Sequence, residues 1–216
     1  MNDAAAAKPL APTLRASADG LAERDLAAVV TALGAGRAIV YPTETFYGLG
    51  ARALDEAAVE HVQAIKGRPD GKPFPVLVSD LAMLGRVASR IPRVAERLIE
   101  RYWPGALTVI LPAKPGLPAR VVGAGGTIAC RISSSPIATQ LVRALGEPLV
   151  ATSANISGRT SARTAAEAAQ QVGRAVAFIV DGGVLPGQLG STIVDGTVDP
   201  PRIVRAGDLD VDLAGG

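Results

Sequence analysis

The sequence predicts an α/β fold: a single-domain twisted mixed sheet flanked by helices, with a ligand cleft at the strand ends. Three observations predict it. Helix-period and strand-like segments alternate along the chain. Segments such as Ala175-Val176-Ala177-Phe178-Ile179-Val180 are apolar on both faces, as strands covered on each side by helices must be. The chain has 216 residues, 48% of them hydrophobic, enough for one core, since a single α/β domain often runs to roughly 200–250 residues. Aromatics make up only 3%, so that core is built from Ala, Val, Leu and Ile. The folded part is expected over residues 19–206, between a disordered Ala/Pro-rich leader at 1–18 and a flexible tail at 207–216.

Asp19 is placed to cap a helix through Leu33, with Leu21, Leu26, Val29, Val30 and Leu33 on one stripe and Gly34 or Gly36 ending it. Ala38-Ile39-Val40-Tyr41 reads as a short buried strand that Pro42 stops. Asp55 caps a helix to Lys66; Ala58, Val59, Val62 and Ile65 share a face, and Gly67 supplies the stop. Phe74 to Val78 is a strand. Pro92 opens a helix that ends near Tyr102-Trp103, before Pro104-Gly105. Leu107 to Leu111 and Ile128 to Ile132 are strands, the second leading to Ser135-Pro136, an N-cap and first-turn proline for a helix ending at Gly146. Strands follow at Leu149–Thr152, Val176–Val180 and Ser191–Asp195, with a helix from Thr164 to Val172 among them.

Composition removes several function classes. The net charge is +2, so affinity for nucleotides or nucleic acid must come from a local patch. The one cysteine, Cys130, lies in an apolar run and excludes an internal disulfide or a thiolate zinc site. The one histidine, His61, lies mid-helix, so neither a His-based metal site nor a Ser–His relay is expected. No apolar run approaches the ~20 residues of a membrane span. Residues 1–18 lack the plan of a secretion signal, and the reading is a cytoplasmic protein.

Ligands in α/β folds sit in the crevice at strand carboxyl ends, which directs attention to the segments after Tyr41, Ile132, Thr152 and Val180. Thr43-Glu44-Thr45 and Tyr47-Gly48-Leu49-Gly50 offer hydroxyls, a carboxylate and open backbone. Lys66-Gly67-Arg68 and Lys72 suit a phosphate clamp, though a helix C-terminus also favours a lysine for its dipole. Gly67-Arg68-Pro69-Asp70-Gly71-Lys72-Pro73 is not a P-loop: it is one residue short, Pro73 stands at the magnesium-binding position, and a helix precedes it. Alternation aims Ser153 and Asn155 the same way, offering a hydroxyl and an amide. Their surroundings are not a nucleophile elbow, so binding is favoured over covalent catalysis. Arg131-Ile132-Ser133 reads either as a structural arginine or as a binder of carboxylate or phosphate. Asp181-Gly182-Gly183 and Gly190-Ser191-Thr192 are corners where backbone amides can approach an anion.

Together these segments resemble the YrdC-like threonylcarbamoyl-AMP synthase family, in its short, single-domain form, over about residues 20–205. The resemblance is carried by Tyr41-Pro42-Thr43-Glu44-Thr45-Phe46-Tyr47-Gly48-Leu49-Gly50, Lys66-Gly67-Arg68-Pro69 and Trp103-Pro104-Gly105-Ala106-Leu107-Thr108. Further matches are Arg131-Ile132-Ser133, Ser153-Ala154-Asn155-Ile156-Ser157-Gly158, Asp181-Gly182-Gly183 and Ser191-Thr192-Ile193-Val194-Asp195. The family pairs K-x-R with S-x-N, and both are intact. Asp70-Gly71-Lys72-Pro73-Phe74-Pro75 departs from the family pattern with an extra proline and an aromatic.

The resemblance implies a nucleotidyltransferase that forms L-threonylcarbamoyladenylate and pyrophosphate from L-threonine, bicarbonate (as CO2) and ATP, for threonylcarbamoylation of a tRNA adenosine. It implies Lys66 and Arg68 as catalytic residues. The ATP site would comprise Lys66, Arg68, Lys72, Ser133, Ser153, Asn155 and Ser191, and the threonine site Thr45, Thr108, Arg131 and Ser153. Mg2+ would enter bound to the ATP phosphates, without a protein metal site. Implied partners beyond the substrates are tRNA and a tRNA-threonylcarbamoyl transferase complex. Two alternatives are an RNA-binding module without catalysis, whose affinity would fall steeply with salt, and a carbamoyl-adenylate-forming domain.

Overall fold

A computed structural model describes residues 9–67 and 72–213. In chain order they form strand β1 (Thr13–Arg15), helix α1 (Glu23–Gly34), strands β2 (Ile39–Pro42) and β3 (Tyr47–Gly50), helix α2 (Glu56–Lys66), strand β4 (Val76–Leu77), and helices α3 (Leu81–Leu84) and α4 (Arg93–Tyr102). Strand β5 (Leu107–Pro112), a 3-10 turn (Ala119–Val121), strand β6 (Thr127–Arg131), helix α5 (Pro136–Leu145) and strands β7 (Leu149–Val150) and β8 (Thr152–Ser153) follow. Helix α6 (Ala165–Val172) and strands β9 (Ile179–Asp181), β10 (Thr192–Asp195) and β11 (Arg202–Arg205) complete the order. No helix among the described residues is long and apolar enough to cross a membrane.

Helix ends follow local chemistry. The Asp55 carboxylate accepts the Ala58 N–H at 3.1 Å, and Gly67 closes α2 at φ 55°, in the left-handed region that favours glycine. Ser135 caps α5 with Pro136 in its first turn, and Thr164 with Glu167 makes a reciprocal capping box on α6. Helix α1 begins at Glu23 instead of near Asp19. Residues 17–20 close a tight turn through paired Ser17–Gly20 backbone bonds, and Gly20 has φ 136°, which no helix admits.

The mixed α/β class holds, with the strands divided between two mixed sheets. One has the order β1-β9-β2-β3-β8 and the other β11-β10-β5-β6-β4-β7. The strand expected as one piece at Leu149–Thr152 serves both. Val150 pairs with Val76 in the second sheet, and Thr152 and Ser153 pair with Leu49 and Gly48 in the first. Pro42 does end β2, but the chain returns at once as β3, with Ile39 opposite Gly50 and Pro42 opposite Tyr47. Gly48 and Gly50 are required by packing: a Cβ there would stand 2.9 and 2.6 Å from the Tyr41 ring. Tyr41 is fully buried and donates its hydroxyl to the Val150 carbonyl at 3.0 Å. The core is aliphatic, as its composition requires, with Leu33, Ile39, Leu49, Leu107 and Leu141 among its fully buried side chains.

Both ends of the described chain depart from expectation. Thr13–Arg15, placed by the sequence in a disordered leader, pairs in parallel with Ile179–Asp181 at a sheet edge. Residues 207–213, expected as a flexible tail, pack down. Val211 is buried, the Asp212 N–H donates to the Tyr102 hydroxyl at 3.0 Å, and Asp212 pairs with Arg101. In both cases the partner is distant in sequence, and no local pattern announces it.

Candidate functional site

A cleft of about 920 Å3 opens where the two sheets meet, near the upper end of the ~300–1,000 Å3 usual for small-molecule sites. Its walls come from the turn between β2 and β3, the end of α2, the exit of β8, and strands β5, β6, β10 and β11.

The β2–β3 turn is organised by hydroxyls. Thr43 Oγ1 donates to the Phe46 carbonyl at 2.7 Å, accepts the Thr45 N–H at 3.2 Å and lies 3.1 Å from Thr45 Oγ1. Behind it, the Gly187 N–H donates to the Thr45 carbonyl at 3.1 Å, an approach that a Cβ on Gly187 would block. The turn's carboxylate faces inward. Glu44 pairs with Arg131 Nη1 at 2.8 Å and accepts the Ser133 hydroxyl, with the Glu44 and Arg131 side chains only 17% and 8% exposed. This buried pair fixes Arg131 at the cleft wall.

Lys66, the last residue of α2, is 4% exposed. Its Nζ donates to the Ser153 carbonyl at 2.6 Å, the Asn155 carbonyl at 2.9 Å and Asn155 Oδ1 at 3.0 Å. Ser153 Oγ also donates to Asn155 Oδ1, at 2.6 Å. The K-x-R lysine and the S-x-N pair therefore form one hydrogen-bonded unit, with three ammonium protons on three oxygens. Lys72 lies exposed at the rim.

On the opposite wall, Thr108 and Ser191 share a hydrogen bond of 2.8 Å between hydroxyls. Arg205 joins them, its Nη2 donating to the Ser191 carbonyl at 2.6 Å and to Ser191 Oγ at 3.2 Å. Desolvation by the surrounding wall, together with repulsion from Arg131, lowers the Arg205 pKa, and Asp208 opposes that shift. Among the described residues, two guanidiniums thus face one cleft, and of these two Arg131 has a carboxylate bound to it. An anion entering between them would relieve the repulsion.

Of the residues singled out by sequence, Thr45, Lys66, Lys72 and Thr108 line the cleft, as do Arg131, Ser153, Asn155 and Ser191. Ser133 does not: it is buried behind Arg131 with its hydroxyl committed to Glu44. Arg68 lies outside the described residues. Sequence reasoning missed Arg205 altogether and the tie from Glu44 to Arg131. The Arg202-Ile203-Val204-Arg205 run carried a strand signal, β-branched residues after Pro200-Pro201. Nothing local tells which sheet edge it joins.

Residues 31–207 match the family model Sua5_yciO_yrdC, described as "Telomere recombination". A threonylcarbamoyl-AMP synthase of Pyrococcus abyssi is 39% identical over 174 residues, covering 81% of this chain and 51% of that protein. The chain spans about half the length of the first curated relatives it matches. The structure of P. abyssi Sua5 complexed with L-threonine superposes with a TM-score of 0.86 at 35% identity, covering 93% of this chain and 58% of that one. E. coli YciO gives 0.85 at 32% identity, covering 94% and 99%.

Proposed function

Because the chain belongs to the Sua5/YciO/YrdC family, we propose that it is an L-threonylcarbamoyladenylate synthase. It combines L-threonine, bicarbonate as CO2, and ATP, releases pyrophosphate, and supplies the threonylcarbamoyl group for tRNA modification in the cytoplasm. One observation carries this reading. A hydroxyl-and-guanidinium end (Thr45, Thr108, Arg131) and a lysine–S-x-N end (Lys66, Ser153, Asn155) share one cleft large enough for an amino acid and a nucleotide.

In this reading the threonine amine takes up CO2 as a carbamate, and a carbamate oxygen attacks the α-phosphorus of ATP as pyrophosphate leaves. No protein nucleophile is required. Thr45 and Thr108 hydroxyls orient the amino acid, and Arg131, fixed by Glu44, meets its carboxylate. The positive field of Lys66, Arg68, Lys72 and Arg205 stabilises charge on the α-phosphate and the departing pyrophosphate, and catalysis is positioning plus electrostatics. Mg2+ would be held by the phosphates: the cleft presents hydroxyls, amides and cations, a donor set suited to a metal-bound nucleotide rather than to a bare ion.

The test is pyrophosphate release from ATP, with threonine and bicarbonate omitted in turn. Release is expected only with both present. Release independent of threonine rejects the synthase reading.

A further inference from the structure

The wall bearing Ser191 is held from behind by residues 207–209. Three successive amides, of Gln188, Leu189 and Gly190, donate to the Asp208 carboxylate at 3.0, 2.8 and 3.1 Å. The Asp208 N–H returns a bond to the Gly190 carbonyl at 2.7 Å. The Gly207 N–H donates to Thr192 Oγ1 at 3.0 Å, and Thr192 Oγ1 donates to the Leu209 carbonyl. A Cβ on Gly207 would collide with the backbone of residues 190–192, so only glycine permits this approach. Leu189, Gly190 and Ser191 line the cleft directly, and Arg205 hangs on the Ser191 carbonyl.

Three neighbouring N–H groups converging on one anion form a nest, and bonds to a carboxylate are roughly twice as strong as neutral ones. The loop at 188–190 has no helix or strand of its own, so this carboxylate supplies the order that secondary structure does not. We propose that Asp208 is a positioning residue for the cleft. By holding these amides it fixes the wall on which Ser191 and the Arg205 guanidinium meet a nucleoside triphosphate.

The naming of that ligand rests on the synthase reading. A ligand that binds only the ordered wall has its apparent affinity reduced by the fraction of molecules in which the wall is ordered. Untethering lowers that fraction and raises KM, while the ligand-bound enzyme, its wall reordered, turns over normally. A residue that merely supports the fold would lower thermal stability and the amount of active protein without moving KM.

The experiment measures pyrophosphate release, with ATP varied at saturating threonine and bicarbonate, in wild type, Asp208→Ala and Asp208→Asn. Amide exchange at residues 188–190 is followed in parallel. Asp208→Ala is expected to raise KM for ATP roughly tenfold with kcat within about twofold. Asp208→Asn, which keeps one acceptor oxygen, should fall between. Exchange at the three amides should quicken at least ~10-fold in the Asn variant relative to a slow wild type. An unchanged KM in both variants, or exchange already fast in the wild type, overturns the proposal. If the wild type releases no pyrophosphate, the synthase reading fails, and amide exchange still decides whether Asp208 holds the wall.

Discussion

Lys66→Met isolates the ammonium group, because methionine keeps most of the apolar stem and removes every donor. Lys66 Nζ bonds the Ser153 carbonyl, the Asn155 carbonyl and Asn155 Oδ1. Two of these acceptors keep another donor: the Asn155 N–H still reaches the Ser153 carbonyl at 2.9 Å, and the Ser153 hydroxyl still reaches Asn155 Oδ1 at 2.6 Å. The Asn155 carbonyl loses the bond that holds it, in a residue only 5% exposed. Leaving one buried acceptor in that state costs about 1–3 kcal/mol. In a chain of this size, about 2 kcal/mol lowers Tm by roughly 4–8 °C, so the variant still folds at 25 °C. The chemical step suffers more. Removing a donor or charge that stabilises a developing anion typically costs about 3 kcal/mol, or at least ~100-fold in rate. Threonine-dependent pyrophosphate release, with thermal melting by circular dichroism, checks both figures. Near-wild-type turnover in Lys66→Met refutes the assignment. A double-mutant cycle refines it: if Lys66 acts through the S-x-N unit, the losses in Lys66→Met and Asn155→Ala are strongly non-additive, and simple addition refutes that coupling.

Two further predictions concern stability. Glu44→Ala strands the buried Arg131 guanidinium and should cost about 3–5 kcal/mol, seen as a lower urea midpoint. Glu44→Gln keeps an acceptor and should lose less, and equal losses contradict the role given to the ion pair. Burial, opposed by the Gly182 N–H and reinforced by Asp181, pushes the Tyr47 pKa from 10.0 to about 12. The folded state therefore holds the phenol proton more tightly than the unfolded chain. Its contribution is full below pH 10 and lost as pH rises toward about 12. Tyr47→Phe lacks the hydroxyl that bonds Gly182 and Gly183. Its urea midpoint should therefore lie below the wild type's by a constant gap up to pH 10, and the gap should narrow above it as the wild type falls. A gap that does not change with pH contradicts the shift.

Where local chemistry decides, the sequence was legible. Asp55, Ser135-Pro136, Thr164 and Gly67 mark helix ends within a residue of where they lie, because caps and left-handed stops act over three or four positions. The strand exits also pointed to the cleft, since Thr45, Ser153 and Asn155 all line it. What stayed hidden depends on distant partners. Tyr47-Gly48-Leu49-Gly50 carries no strand signal because its glycines obscure it, and the Tyr41 ring packed against them explains why they are there. Ser133 sits at a strand exit as expected, but Glu44 takes its hydroxyl. Lys66 suits either a phosphate clamp or a helix-end lysine by sequence, and its tie to the Ser153 and Asn155 carbonyls depends on a strand far along the chain.

The five residues from Leu149 to Ser153 have a consequence for how this chain can vary. With only Ala151 between a strand of one sheet and a strand of the other, any insertion or deletion there would throw one sheet out of register, reversing the faces of its side chains. Surface loops as a class tolerate changes of length, and this joint would not. It should behave as the chain's ruler, against which the spacing of the two cleft walls is set.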